Sequence, residues 1–145
     1  MSIRRATPED LTAILRIETK CFAHDAWNRE QFLDYLAQPE RSIFLVATIN
    51  GIARAYAVAY HTASRAEIDS IAVSTAHRGK GMAAALLRRA MNSLRQRDLP
   101  AVFLNVRLDN QAAIRLYQKL GFERIRRVGD YYEDGAPALR MRRLL

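Results

Sequence analysis

The sequence predicts an α/β fold of the α+β kind, in which helices cover a mixed, mostly antiparallel sheet. Segments rich in apolar and β-compatible residues are interspersed with segments whose apolar residues recur at helical spacing. Asn50-Gly51 separates two of the strand-like segments, and this dipeptide is the strongest two-residue signal for an antiparallel hairpin. The predicted order is β-α-α-β-β-β-α-β-α-β-β, which fits one sheet with helices packed over it.

The first half of the chain begins with a short strand over residues 3–6 and a helix over residues 8–21. Thr7 can cap this helix, Pro8 suits its first position, and the acidic Glu9 and Asp10 suit its positive end. Asn28 is the expected cap of a second helix over residues 29–37. Three strands then follow, over residues 42–49, 52–60 and 65–73.

The second half begins with the glycine-containing segment 77–83. A long amphipathic helix follows, which carries its apolar residues over 84–94 and ends near Asp98-Leu99-Pro100. Residues 101–106 form a buried strand, and Asn110 opens a helix that Gly121 ends as a C-terminal cap. The last predicted strands cover residues 122–128 and 137–144.

Length and composition predict one domain over residues 1–145 and a cytoplasmic protein, because no apolar segment is long enough for a membrane span. The single cysteine, Cys21, excludes an internal disulfide and falls in the apolar phase of a helix, which predicts a buried structural thiol. His24, His61 and His77 lack the spacing of metal ligands, so no metal site is expected.

A net charge of +8 favours anionic partners, namely nucleic acid, the ribosome or a phosphorylated cofactor. The chain lacks a nucleic-acid recognition motif and a basic stretch interleaved with aromatic residues, which disfavours a nucleic-acid-binding module. The arginines near the C-terminus are more typical of a solvated face. The sequence leaves monomer and homodimer as alternatives.

The segment Arg78-Gly79-Lys80-Gly81-Met82-Ala83 lies between a predicted strand and a predicted helix. Its backbone N–H groups therefore stand at a helix N-terminus, where they have no intrahelical acceptor and where the helix dipole favours an anion. The two glycines permit the turn and a close approach to the backbone, and Arg78 with Lys80 adds positive charge. This pattern indicates a diphosphate site.

Three motifs together resemble the GNAT acetyltransferase superfamily: Ile71-Ala72-Val73, Arg78-x-x-Gly81-x-Ala83, and the run from Asn110 to Phe122. Within it, the run 105–110 and the tail 130–141 look like the bacterial ribosomal-protein alanine N-acetyltransferases. The resemblance implies a twisted sheet with a splayed central strand pair, about four helices, and acetyl-CoA as co-substrate. It also implies an amine acceptor, such as the N-terminus of a ribosomal protein.

The same resemblance implies roles for residues around the cofactor. Ile71, Ala72 and Val73 would pair with the pantetheine arm, with the Val73 N–H facing the thioester carbonyl. Tyr117 matches the family's general acid, and it also suits a core position on an amphipathic helix. Asn110 resembles an asparagine that contacts the cofactor, and it is also an excellent helix cap.

The general base cannot be carried over directly from the resemblance, because the protein-alanine enzymes commonly carry a glutamate where this chain has Asn105. An amide cannot accept the proton, and Asn105 is expected to bind the acceptor. Glu67 and Asp69 alternate on one face of the strand before Val73 and could deprotonate the amine or bind it, with Glu67 preferred. Tyr131 and Tyr132 would line the acceptor groove or fill a sheet edge.

The predicted function is therefore direct transfer of acetyl from acetyl-CoA to a primary amine, preferably the α-amine of a protein. The alternatives are a small-molecule amine acetyltransferase and a non-catalytic acyl-CoA-binding protein.

Overall fold

The computed structural model of the chain describes all of its residues, Met1–Leu145. The seven strands are β1 (Ser2–Arg5), β2 (Ser42–Ile49), β3 (Ile52–His61), β4 (Ala66–Val73), β5 (Ala101–Arg107), β6 (Glu123–Val128) and β7 (Ala138–Leu144). The four α-helices are α1 (Leu11–Cys21), α2 (Arg29–Leu36), α3 (Met82–Gln96) and α4 (Gln111–Lys119). No helix is both long and apolar enough to cross a membrane.

The strands form one sheet in the order β1-β2-β3-β4-β5-β7-β6. All neighbouring pairs are antiparallel except β4 and β5, which run parallel. Their pairing covers only Ala66, Ile68 and the residue between them, opposite Val102 to Leu104. Beyond this short joint the two strands diverge, so the sheet splays at its centre and the predicted fold class is confirmed.

Helices cover both faces of the sheet. On one face α3 packs across β2, β3 and β4, and its apolar side chains join those of α4 in a core cluster of 24 buried residues. On the other face α1 and α2 enclose a second cluster of 11 buried residues around Phe32 and Tyr56. The continuous apolar runs of β2 and β3 follow from this arrangement, because both of their faces are covered.

Several local signals in the sequence act as predicted. Asn50 and Gly51 have φ of 53° and 79°, as a tight hairpin requires. The side chains of Asn28 and Asn110 accept hydrogen bonds from backbone N–H groups at the starts of α2 and α4. Gly121 ends α4 at φ 90°.

The expected cap at Thr7 takes a different form. Thr7 is the cap residue and Pro8 the first residue, as predicted, but they open a 3₁₀ turn over Pro8–Asp10 that precedes α1. The carboxylate of Asp10 accepts from the Thr7 N–H at 2.8 Å and pairs with Arg4 at 2.8 Å. This ion pair links β1 to the acid that closes the turn.

A buried carboxylate ties α1 to the sheet. Glu18 is 1% exposed, and it accepts hydrogen bonds from the Tyr56 hydroxyl, from Ser70 Oγ at 3.3 Å and from the Trp27 N–H at 2.9 Å. Burial raises the pKa of Glu18, and these three donors oppose the rise. The network joins β3, β4 and the loop between α1 and α2.

We expect Glu18→Ala to lower the free energy of unfolding by about 3 kcal/mol, because it leaves several buried donors without their acceptor. Urea denaturation monitored by circular dichroism measures the loss. Lys20→Ala, an exposed change on the same helix, is the control and should stay within about 0.5 kcal/mol of wild type. A loss below about 1 kcal/mol for Glu18→Ala would contradict this role.

Candidate active site

The segment before α3 forms a cradle of unpaired backbone donors. None of the N–H groups from Arg78 through Ala84 has a hydrogen-bond acceptor in the chain. Gly79 and Gly81 have φ of 77° and 79°, a region that favours glycine, and Gly81 caps α3 without a side chain. The helix N-terminus therefore lacks the side-chain cap seen at α2 and α4, and its donors point to solvent where an anion can bind.

The edge of β4 next to this cradle is also open. The N–H of Ser74, just after β4, donates to the carbonyl of Arg54 in β3 at 2.8 Å. In an antiparallel ladder this bond makes the neighbouring pair, Ala55 and Val73, a non-hydrogen-bonded pair. The N–H of Val73, and that of Ile71 at the same phase, point away from β3 toward the splay. Because β5 has diverged there, an extended ligand can pair with this edge.

Cys21 lies at this site and is only partly buried, so the prediction of a buried thiol is wrong, although the residue packs against the core beneath α1. The residue is half-buried at the C-terminus of α1, where its Sγ lies 3.6 Å from the Val73 carbonyl oxygen. Arg78 Nη2 donates to the same sulfur at 3.3 Å. Helix α1 ends directly above the end of β4, which the helical periodicity of its own sequence could not reveal.

Tyr117 stands on α4 with its ring inside the core, where it packs against Phe122 with centroids 5.8 Å apart. The side chain is 7% exposed. Its hydroxyl has no hydrogen-bond partner in the chain. Two side-chain polar atoms are both fully enclosed and without a partner, namely Arg54 Nε and His77 Nδ1, and the Tyr117 hydroxyl is not one of them, so it reaches solvent. Burial raises the pKa of Tyr117, with Tyr132 adding to the rise, so the phenol stays protonated at neutral pH.

An ion pair connects Glu67, in the short joint between β4 and β5, with Arg140 on β7. Arg140 donates to the Glu67 carboxylate from two nitrogens, at 2.5 and 3.3 Å, and to Asn105 Oδ1 at 3.3 Å. Asn105 in turn donates to the Tyr131 hydroxyl at 3.1 Å. The structure thus brings together three of the predicted acceptor-site residues, Glu67, Asn105 and Tyr131, around an arginine that the sequence analysis did not select.

Asp69 lies on the same face of β4 as Glu67, at a bulge where it has no Cα partner on β3. Its carboxylate accepts a hydrogen bond from the Tyr35 hydroxyl of α2 at 2.7 Å. Burial of the carboxylate raises the pKa of Asp69 to about 6; the bond from Tyr35 opposes this rise and the nearby Glu67 adds to it. The two acids therefore face different surroundings.

Tyr131 and Tyr132 lie in the loop between β6 and β7, so the alternative that they fill a sheet edge is wrong. This loop faces the loop between α1 and α2, and Arg107 at the end of β5 holds the two together. Arg107 pairs with Asp25 at 3.5 Å and with Asp134 at 2.5 Å. Its guanidinium also lies over the Tyr132 ring, 4.8 Å from the centroid.

The expectation that the arginines near the C-terminus form a solvated face is wrong for Arg140, which is 9% exposed. Sequence reasoning missed Arg107 altogether, although a signal for both residues was present. Each is a basic residue inside a strand whose neighbours are apolar, and such a residue needs an acidic partner when it faces the interior. The partners lie far away in the chain, so the identity of each pair could not be predicted. No cluster of three His, Cys, Asp or Glu side chains is placed to hold a metal ion.

Comparison with known proteins identifies the family that shares these features. Residues 11–122 match the family described as Acetyltransferase (GNAT) family. The [ribosomal protein bS18]-alanine N-acetyltransferase of Escherichia coli is 32% identical over 123 residues, which cover 85% of this chain and 81% of that protein.

Solved structures agree with this match. The crystal structure of Ard1 from Thermoplasma volcanium superposes with a TM-score of 0.92 at 29% identity, covering 99% of this chain and 97% of the other. The NatB acetyltransferase complex bound to CoA and MES gives a TM-score of 0.84 at 28% identity, covering 100% of this chain and 99% of that one.

Proposed function

This chain belongs to the acetyltransferase (GNAT) family, and from that premise we propose that it is a single catalytic domain acting on the N-terminal α-amine of a protein in the cytoplasm. It is an N-acetyltransferase, and acetyl-CoA is its co-substrate. The observation that carries the proposal is the open edge of β4, which leads directly into the cradle of unpaired N–H groups before α3.

The cradle supplies what the pyrophosphate of acetyl-CoA needs. The N–H groups of Arg78, Gly79, Lys80, Gly81, Met82 and Ala83 would donate to phosphate oxygens, and the positive end of α3 adds favourable charge. The pantetheine arm would pair with Ile71, Ala72 and Val73 like an added strand. Asn110 caps α4 near the other side of the splay, and a cofactor contact would use its remaining amide donors.

The chemistry of the transfer follows from two groups at the splay. The outward Val73 N–H would donate to the carbonyl oxygen of the thioester, where negative charge develops as the amine attacks. Tyr117, held as a phenol by its buried position, would give its proton to the departing thiolate. A phenol with a free hydroxyl can turn toward the sulfur without first breaking a hydrogen bond.

The choice of an α-amine follows from proton energetics. An α-amine with a pKa near 8 is about a tenth neutral at pH 7, whereas a lysine is about 0.04% neutral, a difference of about 3 kcal/mol. Here Glu67 is engaged by Arg140 and Asp69 by Tyr35, so neither carboxylate is free of partners. Carboxylates that already have hydrogen-bond partners suffice for an α-amine and are poorly suited to lysine.

Glu67 is the proposed base, acting directly or through one water. It retains acceptor capacity beyond the two bonds from Arg140, because a carboxylate offers about four lone-pair positions. Asn105, Tyr131 and Tyr132 would shape the groove for the incoming N-terminus. The similarity to the bS18-alanine enzyme makes a ribosomal protein the preferred source of that N-terminus.

We expect Tyr117→Phe to lower kcat about 100-fold with unchanged affinity for CoA, because only the transferable proton is removed. Thiol release from acetyl-CoA and calorimetric binding of CoA measure the two quantities. Since burial raises the pKa of Tyr117, wild-type kcat should show no loss from this group up to pH 10. Wild-type turnover by the variant would exclude Tyr117 as the acid.

Glu67→Gln should lower kcat/KM about 10-fold to 100-fold at pH 7, because the amide cannot accept the amine's proton. The deficit should shrink as the pH approaches 9, where the α-amine is already neutral. Glu123→Gln, an exposed change of the same kind on β6, serves as the control and should behave as wild type. A deficit that is the same at every pH would indicate a structural role for Glu67.

The acceptor class can be tested with matched amines. A peptide with a free N-terminus should release CoA thiol, whereas the same peptide with a blocked N-terminus and an internal lysine should not. Peptides with different first residues and a panel of small amines complete the assay. Turnover confined to the small amines would replace protein N-acetylation with metabolite modification.

A further inference from the structure

A cavity of about 330 Å³ lies between α2 and the strands β3 and β4, on the face of the sheet that carries Glu67 and Asp69. Aromatic rings form its walls. Trp27 stacks on Tyr35 with centroids 5.2 Å apart and planes 10° apart, and Tyr35 meets Tyr60 edge to face at 6.2 Å. The cavity is in the size range of small-ligand sites.

Two carboxylates, those of Asp34 and Asp69, also line the cavity. Neither forms an ion pair in the chain, and none of the lining residues is basic. In a chain with a net charge of +8, a cavity lined by two carboxylates and by no basic residue differs in charge from the surface as a whole. Aromatic faces with nearby carboxylates are the surroundings that favour an organic cation.

The cavity is within reach of the reaction centre. Asp69 precedes Val73 by four positions on β4, and a strand rises about 3.3 Å per residue, so the two lie about 13 Å apart. Two residues of an extended acceptor peptide cover about 7 Å. The side chain of a lysine or arginine can span the remainder, while the α-amine stands at the end of β4.

We propose that this cavity binds the side chain of a lysine or arginine at the second or third residue of the acceptor, and so selects basic N-termini. The inference rests on the proposed function, because it assumes that the acceptor is a peptide. The cavity would add a determinant of specificity, namely recognition of the positive charge on a residue that follows the N-terminal amine.

The chain contains a single tryptophan, Trp27, and it lines the cavity, so its fluorescence reports directly on occupancy. Two peptides that differ only at residue 2, arginine in one and norleucine in the other, are titrated in the presence of CoA, and a second pair varies residue 3. We expect the arginine peptide of one pair to bind about tenfold more tightly than its norleucine partner.

Asp34→Asn should abolish this difference, because it removes one carboxylate of the cavity while leaving the groups at the end of β4 unchanged. Glu30→Gln removes the same charge from α2 outside the cavity and is the matched control, so it should keep the difference. Equal affinities for the charged and neutral peptides, or a difference that Asp34→Asn leaves intact, would overturn the inference.

Thiol release with the same peptides separates this inference from the proposed function. If wild type acetylates none of them, the proposed function fails, and the fluorescence titration still decides whether the cavity selects basic residues. If the arginine and norleucine peptides are acetylated with equal kcat/KM, the proposed function stands and the cavity has no role in selection. Acetylation of free cationic amines in preference to every peptide would also overturn the inference.

Discussion

The site depends on one constraint, namely that β4 and β5 pair over a short parallel joint and then part. Because β5 turns away, the outward N–H groups of β4 at Ile71 and Val73 have no neighbouring strand to bond. The chain then continues into the donors of Arg78 to Ala84, which also lack acceptors. Unpaired backbone donors are costly when buried, so their concentration in an open cleft is stable only because water or a ligand can bond them.

Most of the fold could be predicted from the sequence because its signals are local. Asn50-Gly51, the caps Asn28 and Asn110, and the stop at Gly121 each act within a few residues of themselves. The glycines before α3 likewise indicated an anion-binding turn at the N-terminus of that helix. The turn at Thr7 and Pro8 is local in the same way, since Asp10 accepts from the Thr7 N–H three residues away, and the ion pair between Arg4 and Asp10 adds a link to β1.

The acceptor side of the site was less predictable because it is assembled from distant segments. Arg107 joins two loops that are far apart in the sequence, and Arg140 on β7 reaches Glu67 on β4 past the intervening β5. The bulge at Asp69 changes which neighbours that acid meets, and alternation along a strand cannot show a bulge. Alternation along the strand pointed to Glu67 and family resemblance to Asn105 and Tyr131, but the arginine that joins Glu67 to Asn105 became visible only in three dimensions.

The order of strands in the sheet also bears on how the chain assembles during synthesis. Strands β1 to β4 are neighbours both in sequence and in space, so their hairpins can close while the rest of the chain is still being translated. The joint between β4 and β5 must wait for α3 to cross over, and β7 must then insert between β5 and β6. The cleft therefore lies where strands paired in chain order meet strands paired out of chain order, and it is complete only when β7 is in place.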